Sequence, residues 1–328
     1  MPVFLSCGDA LFDLFAGSGD DAAGIRLEGH VGGSPLNVAV GLSRLGNRAG
    51  FLCKNSDDLF GQRIRAYLDA NGVALDWVMP TVRNSTLAIV QTDVTGAAIY
   101  VFHIEGTADV SIEEADLPAS LPDELDVVHV ASYSTVVEPT ASSLLALVRR
   151  ESARRLISYD PNLRLMIEPD RDVWRARFAE IVACTDVVKA SDEDVAALVG
   201  SDGKGDRDAF DAFAADTIGK GAGLVLVTRG NDGAMVYAAD GRVTEVPGVL
   251  VDVQDTVGAG DTFQAAALHW LGAHGAIENG ALRLDGADLA DLGDFATAAA
   301  AITCTRSGAN LPTFEDVERF RAARAANA

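Results

Sequence analysis

The sequence predicts an α/β fold, a three-layer, doubly wound and mostly parallel sheet carrying a small β-sheet lid. Three observations predict it. Between about 125 and 246, short apolar and β-branched runs alternate with helical stretches, the rhythm of βαβ units on a parallel sheet. Two consecutive strand patterns, Leu87–Thr92 and Ala97–His103, break that rhythm and turn at Val94-Thr95-Gly96, as a hairpin outside the main sheet does. Polar residues with Gly or Pro gather just beyond strand ends, where open α/β sheets bind ligands.

Taken in order, Val3–Cys7 reads as a first strand broken by Gly8-Asp9. Asp13 follows inside an apolar stretch, where a carboxylate is costly unless its oxygens find donors; sugar hydroxyls or a nearby turn would serve. Gly32-Gly33 precedes Ser34, Pro35 and Asn37, then Val38, Gly41, Leu42 and Leu45 at helical spacing. Ser34 fits an N-cap, Pro35 the first helical position and Gly46 the stop. The glycine pair lets a ligand approach, and Asn37 in the first turn reaches the same spot. Arg48–Lys54 is a strand and Leu59–Asn71 a helix closed by Gly72. The hairpin at 87–103 and the irregular segment 14–31 make the lid, taken as about 14–31 and 84–108 inserted into one domain spanning 1–328.

The second half reads strand 125–131, helix 138–151, strand 155–159, helix 172–183, strand 185–190, then helices near 192–199 and 206–219. Strand 223–228, a hairpin at 233–246 and a final helix at 288–303 complete the pattern, with only the last few residues frayed. Val249–Val253 is expected as a buried strand feeding the loop Asp255-Thr256-Val257-Gly258-Ala259-Gly260-Asp261. Phe263, Ala266, Ala267, Trp270 and Leu271 then mark one buried helical face. A glycine loop at a helix N-terminus favours anions. A carboxylate at its end is expensive there unless it has chemistry to do, such as taking a proton from an attacking hydroxyl. The plainer reading is an N-capping Asp.

Other loops obey the same rule. Asp160-Pro161-Asn162-Leu163-Arg164 brings a cation for phosphate or a sugar oxygen. Lys189-Ala190-Ser191-Asp192-Glu193-Asp194 is either a site or a Ser-capped helix with an acidic first turn. Thr228-Arg229-Gly230 offers a hydroxyl and a bare backbone to a nucleotide.

Composition narrows the classes. A chain of 328 residues, 48% hydrophobic and 23% charged, has a sizeable core. Net charge is −22 without a basic cluster, which argues against nucleic acid. No signal-like or long apolar segment stands out, so neither a membrane span nor export is expected, and Cys7, Cys53, Cys184 and Cys304 suit a reducing cytoplasm. The five histidines form no ligand pattern.

With Gly32-Gly33-x-x-x-Asn37 near the start and Asp255-Thr256-x-Gly258-Ala259-Gly260-Asp261 near the end, the chain resembles the ribokinase-like (PfkB) sugar kinases nearly end to end. The resemblance implies an α/β sandwich with a lid, ATP as co-substrate, Mg²⁺, and possible K⁺ dependence. It implies Asp261 as general base, with the amides of Gly258, Ala259 and Gly260 as anion hole. Asp13, Gly32, Gly33, Asn37, Phe102 and Arg164 are implied at the sugar, and Lys189, Ser191, Thr228, Gly230, Gly258 and Gly260 at the nucleotide. Asp255 is similar to the family's monovalent-cation carboxylate. The family's Asn-x-x-Glu appears as Ser191-x-x-Asp194, so contact of Asp194 with Mg²⁺ is expected through water.

Within the family, Gly8-Asp9-Ala10-Leu11-Phe12-Asp13, Gly33-Ser34-Pro35-Leu36-Asn37 and Glu105-Gly106-Thr107-Ala108-Asp109 resemble fructokinases, so fructose to fructose 6-phosphate is expected. The rival, 2-keto-3-deoxygluconate kinase, binds a carboxylate and usually has Arg in the lid; here the stretch Tyr100–Glu105 has none and adds an acid. Two other classes stay open, a dinucleotide oxidoreductase and a silent sugar-binding regulator. Phe263 stands where the dinucleotide fingerprint wants Gly, and the intact Asp261 loop counts against the second. Apolar alternation along 87–103 suggests a homodimer through the lid.

Overall fold

The computed structural model describes residues 1–17, 23–92, 98–200 and 205–327. In chain order the first elements are β1 (Val3–Cys7), β2 (Leu11–Ala16), β3 (Leu27–Gly32), α1 (Ser34–Arg44), β4 (Arg48–Ser56), α2 (Leu59–Ala70), β5 (Val78–Thr81), β6 (Thr86–Thr92) and β7 (Ala98–His103). Then come β8 (Leu125–Ala131), α3 (Thr140–Glu151), β9 (Leu156–Asp160), α4 (Arg171–Val182), β10 (Val187–Ser191), α5 (Asp192–Val199), α6 (Arg207–Gly219) and β11 (Leu224–Thr228). The chain ends through β12 (Ala234–Ala238), β13 (Val243–Val246), α7 (Ala259–Ala273), β14 (Ile277–Glu278), β15 (Ala281–Leu282), α8 (Leu289–Cys304) and α9 (Phe314–Asn327).

Nine strands form the main sheet in the order β13-β12-β11-β10-β9-β8-β1-β4-β5. It is parallel from β11 to β5, and only β12 and β13 run antiparallel. The period of two sorts its residues into layers. Leu5, Val128, Ile157 and Val225 pack with Leu144, Trp174, Phe178 and Phe210 of α3, α4 and α6. Phe4, Val127, Leu156 and Leu224 face the other way, onto Val38, Phe263, Trp270 and Phe295 of α1, α7 and α8. Each such side chain contributes about 1.5–3 kcal/mol on burial. Because β1 lies between β4 and β8, the strand order reverses there, and ligands bind beyond the carboxyl ends at such a point.

The lid is a separate four-stranded sheet, β3-β2-β6-β7. Its inner seam, with Phe12 and Leu14, packs on Leu36, Val40, Phe51 and Ile64. The lid strands start at Leu11, ahead of the expected 14. The expected turn at Val94-Thr95-Gly96 lies outside the described residues.

Three expectations change. Val249–Val253 is not a strand: Leu250 is 87% and Val253 52% exposed, and neither belongs to the sheet. A Cβ on Gly248 would stand 1.9 Å from the Asn231 carbonyl oxygen, so the chain turns off the sheet edge there and the apolar run finds no partner strand. Second, Gly33 (φ 117), not Ser34, caps α1. The stop matches, with Gly46 left-handed at φ 89 beyond the cap Leu45. Third, the end of the chain forms α9. Its apolar signal is thin, and ion pairs from Arg321 to Asp291 and Asp294, and from Arg324 to Asp294, tie it to α8.

Candidate active site

The loop before α7 folds onto the end of α8. The Gln254 amide donates to the Cys304 carbonyl at 2.8 Å. Asp255 accepts from Val257 N through Oδ1 at 3.0 Å and from Gly308 N through Oδ2 at 2.9 Å. Gly258 is left-handed (φ 78) at the N-cap, and a Cβ there would stand 2.7 Å from the Ala309 methyl. Backbone conformation and space both demand glycine. The Ala259 amide donates to the Thr256 carbonyl at 3.2 Å.

Asp261, in the first turn of α7, is 6% exposed. It does not cap its own helix. Oδ1 accepts from Ser34 Oγ at 2.7 Å and Oδ2 from Asn37 Nδ2 at 2.8 Å, while Asn162 Nδ2 stands 3.5 Å from Oδ1. Two small residues permit this. A Cβ on Gly41 would lie 2.8 Å from Ala265 Cβ, so α1 and α7 pack closely and their N-termini meet.

On the far side of Gly260 lies a cation. A Cβ there would stand 3.0 Å from Lys189 Nζ. Lys189 pairs with Asp160 at 3.0 Å, the two side chains 3% and 0% exposed. Burial works to lower the Lys189 pKa, but Asp160, Asp194 and Asp261 outweigh it and hold the ammonium charged. Among the described residues Asp160 Oδ1 has no hydrogen-bond partner. An ammonium beside a helix N-terminus makes a strong local anion site in a chain of net charge −22.

Ser191 and Asp194 form a capping box. Ser191 Oγ accepts from Asp194 N at 3.0 Å, and Asp194 Oδ2 accepts from Ser191 N at 2.9 Å and from its hydroxyl at 2.7 Å. Asp194 Oδ1 accepts from Leu163 N at 2.8 Å, tying the 160–164 loop to α5. Thr228 ends β11 in register with Ser191. Gly230 (φ 54) has open space around it. Neither touches the Asp261 cluster.

On the lid side, Asp13 pairs across the ladder with His30. A Cβ on Gly32 would strike Asp13 Oδ2 at 2.3 Å. Burial raises Asp13 to about 6, against the opposing pull of Arg164 and His30. Arg164 donates to Asn162 Oδ1 at 2.6 Å. Gly33 passes so near the chain at Asp9 that a Cβ would lie 2.5 Å from the Asp9 carbonyl. Phe102, half-buried on β7, packs against the larger core cluster. The structure thus gathers Asp261, Asn37, Gly258, Gly260 and Lys189, sets Asp13, Gly32, Gly33 and Arg164 beside them, and leaves Thr228, Gly230 and Phe102 at the margin.

Sequence reasoning missed four residues. Ser34 looks locally like a cap, and in the 160–164 loop the charge of Arg164 draws attention from Asp160 and Asn162. Asp9, 1% exposed, accepts from Ser34 N at 3.2 Å and is raised to about 8, first by burial and then by Asp109. The available signal was position, since Asp9 and Asp160 each close a buried strand at the ligand edge.

The pfkB family carbohydrate kinase model matches residues 5–316, and the chain belongs to that family. A fructokinase of Rhizobium leguminosarum bv. trifolii is 39% identical over 267 residues, covering 81% of this chain and 78% of that protein. The structure of a fructokinase with bound ATP from Xylella fastidiosa superimposes with a TM-score of 0.87 at 26% identity, over 98% of this chain and 99% of that one. A Vibrio cholerae O395 fructokinase in fructose, ADP and calcium ion bound form gives 0.82 at 27% identity, over 98% and 99%. Among the described residues no helix is long and apolar enough to cross a membrane.

Proposed function

We propose that this protein is an ATP-dependent fructokinase, making fructose 6-phosphate and ADP. The observation that carries it is Asp261, buried at the α7 N-terminus between hydroxyl and amide donors of α1 and the Lys189 ammonium behind Gly260. In this reading the sugar hydroxyl oxygen attacks the γ-phosphorus, its proton passes to Asp261, and the bond to the β–γ bridging oxygen breaks as ADP leaves. Gly258, Gly260 and Lys189 stabilise the charge on the moving phosphoryl group. Ser191, Thr228 and Gly230 contact the nucleotide at the neighbouring strand ends. Asp13 and Asn37 hold the sugar, with Gly32 and Gly33 allowing the approach and Phe102 and Arg164 bounding it.

Mg²⁺ bound to the nucleotide phosphates supplies charge neutralisation. Asp194 fits a contact through water, since Oδ2 takes both Ser191 donors while Oδ1 takes one amide and keeps a lone pair. Asp255, pinned between the 257 and 308 amides, fits a monovalent cation such as K⁺ behind the anion hole. A neutral ketose suits a pocket where the Asp13 carboxylate would repel a sugar acid and where burial and Asp109 favour the uncharged form of Asp9. The chain works in the cytoplasm, where ATP is supplied and its free thiols stay reduced. Two copies pair through the lid, whose outer strand β7 exposes Val101; a monomer by light scattering would remove that claim.

An ADP-release assay over fructose, ribose, 2-keto-3-deoxygluconate, adenosine and tagatose tests the reading. We expect kcat/KM for fructose to exceed the others at least tenfold; preference for 2-keto-3-deoxygluconate would overturn it. Because Asp13 must be ionised to accept sugar hydroxyls, KM for fructose rises as pH falls below about 6 while KM for ATP holds.

A further inference from the structure

A concavity of about 820 Å³ lies outside the site just described, between the lid strand β3, α1, α2 and the 307–310 loop. That volume is within the usual range for small-molecule pockets. Its charge is unusual for this chain. Asp and Glu number 48 in the sequence, yet no carboxylate is among the described residues lining it, whereas two arginines are. Arg63 is exposed and, among the described residues, makes no hydrogen bond or ion pair. Arg44 is fixed beside it, Nε donating to Asn71 Oδ1 at 2.7 Å and one terminal nitrogen to Asn310 Oδ1 at 3.0 Å and the Leu311 carbonyl at 2.6 Å. Tyr67, largely buried and raised in pKa by that burial, keeps its hydroxyl as a donor. Two acids stand just behind this lining: Glu28, 80% exposed and 3.4 Å from His30, and Asp255, whose Oδ2 already takes the Gly308 amide at 2.9 Å.

An unpaired guanidinium in a carboxylate-free hollow of a strongly acidic protein has no structural task to perform. Arginine forks match phosphate oxygens, and excluding acids from the lining removes the repulsion that the rest of the surface imposes. We propose that this groove binds a small phosphate-bearing metabolite, held by Arg63, Arg44 and Tyr67. Its wall is shared with the active site. Gly308 donates to Asp255 and Ala309 packs on Gly258, so the ligand rests on the back of the anion-hole loop.

Calorimetric titration of inorganic pyrophosphate into protein saturated with a non-hydrolysable ATP analogue tests this, because the transfer site is then filled. One pyrophosphate is expected per chain. Arg63→Ala should weaken it at least tenfold and Arg63→Glu abolish it, with Tm and the KM for ATP unchanged in both. No binding by the analogue-saturated wild type, or equal binding by Arg63→Glu, would overturn the proposal. The readout does not depend on which sugar is phosphorylated, so it stands or falls apart from the fructokinase reading.

Discussion

Two helices in this molecule begin alike and use their beginnings differently. Both α5 and α7 carry Asp three residues after the N-cap, Asp194 after Ser191 and Asp261 after Gly258. At α5 the carboxylate turns back to its own cap and to Leu163 N, closing a capping box. At α7 the cap is glycine and offers no side chain, so the carboxylate turns away to Ser34 and Asn37. One acid is consumed by local structure. The other is held by side chains from a distant helix, and those donors can be exchanged for a substrate hydroxyl at small cost in fold. Replacing the capping serine by glycine frees the acid for chemistry.

The comparison breaks first at Asp261. Asp261→Asn keeps the size and an acceptor oxygen but removes the base, and we expect kcat to fall by about 10²–10⁴ with fructose affinity, by calorimetry, nearly unchanged. Near wild-type kcat would make the two helix starts equivalent. Asp194→Ala should act on stability instead, by about 1–2 kcal/mol for the lost cap, read as a lower Tm. Asp194→Asn separates cap from charge. It keeps an acceptor for the Ser191 donors but loses the one for Leu163 N, so Tm should fall less than in Asp194→Ala, and if the carboxylate reaches Mg²⁺ through water, the Mg²⁺ concentration for half-maximal rate should rise several-fold.

Most of the fold was legible because periodicity is local. Strands 125–131 and 224–228 and helix 192–199 needed only their own residues. Val249–Val253 failed because an apolar run becomes a strand only with a neighbour, and Gly248 steers it away from one. α9 was hidden because ion pairs to α8, not an apolar face, hold it down. Likewise the glycines and Asp261 declared the site, while Ser34 could not. Its partner lies 227 residues away, and nothing local distinguishes a serine that caps from one that reaches across.

That serine gives the smallest and most discriminating test. Ser34 and Ser191 each donate a hydroxyl to an Asp of the same helical position. Ser191→Ala removes a cap, so Tm should fall by an amount near that of Asp194→Ala, with kcat nearly kept. Ser34→Ala removes no cap, since Gly33 holds that role, and alanine suits the first helical turn. What it removes is a hydrogen bond to the Asp261 carboxylate, worth about 1.5–3 kcal/mol. Losing it leaves the carboxylate that takes the sugar proton less firmly aimed, so kcat should fall roughly tenfold, the effect of about 1.4 kcal/mol on the barrier, with a fall in Tm no larger than that of Ser191→Ala. A fall in Tm with kcat unchanged would make Ser34 a structural residue like Ser191, and the contrast between the two helices would then rest on Asn37 and Asn162.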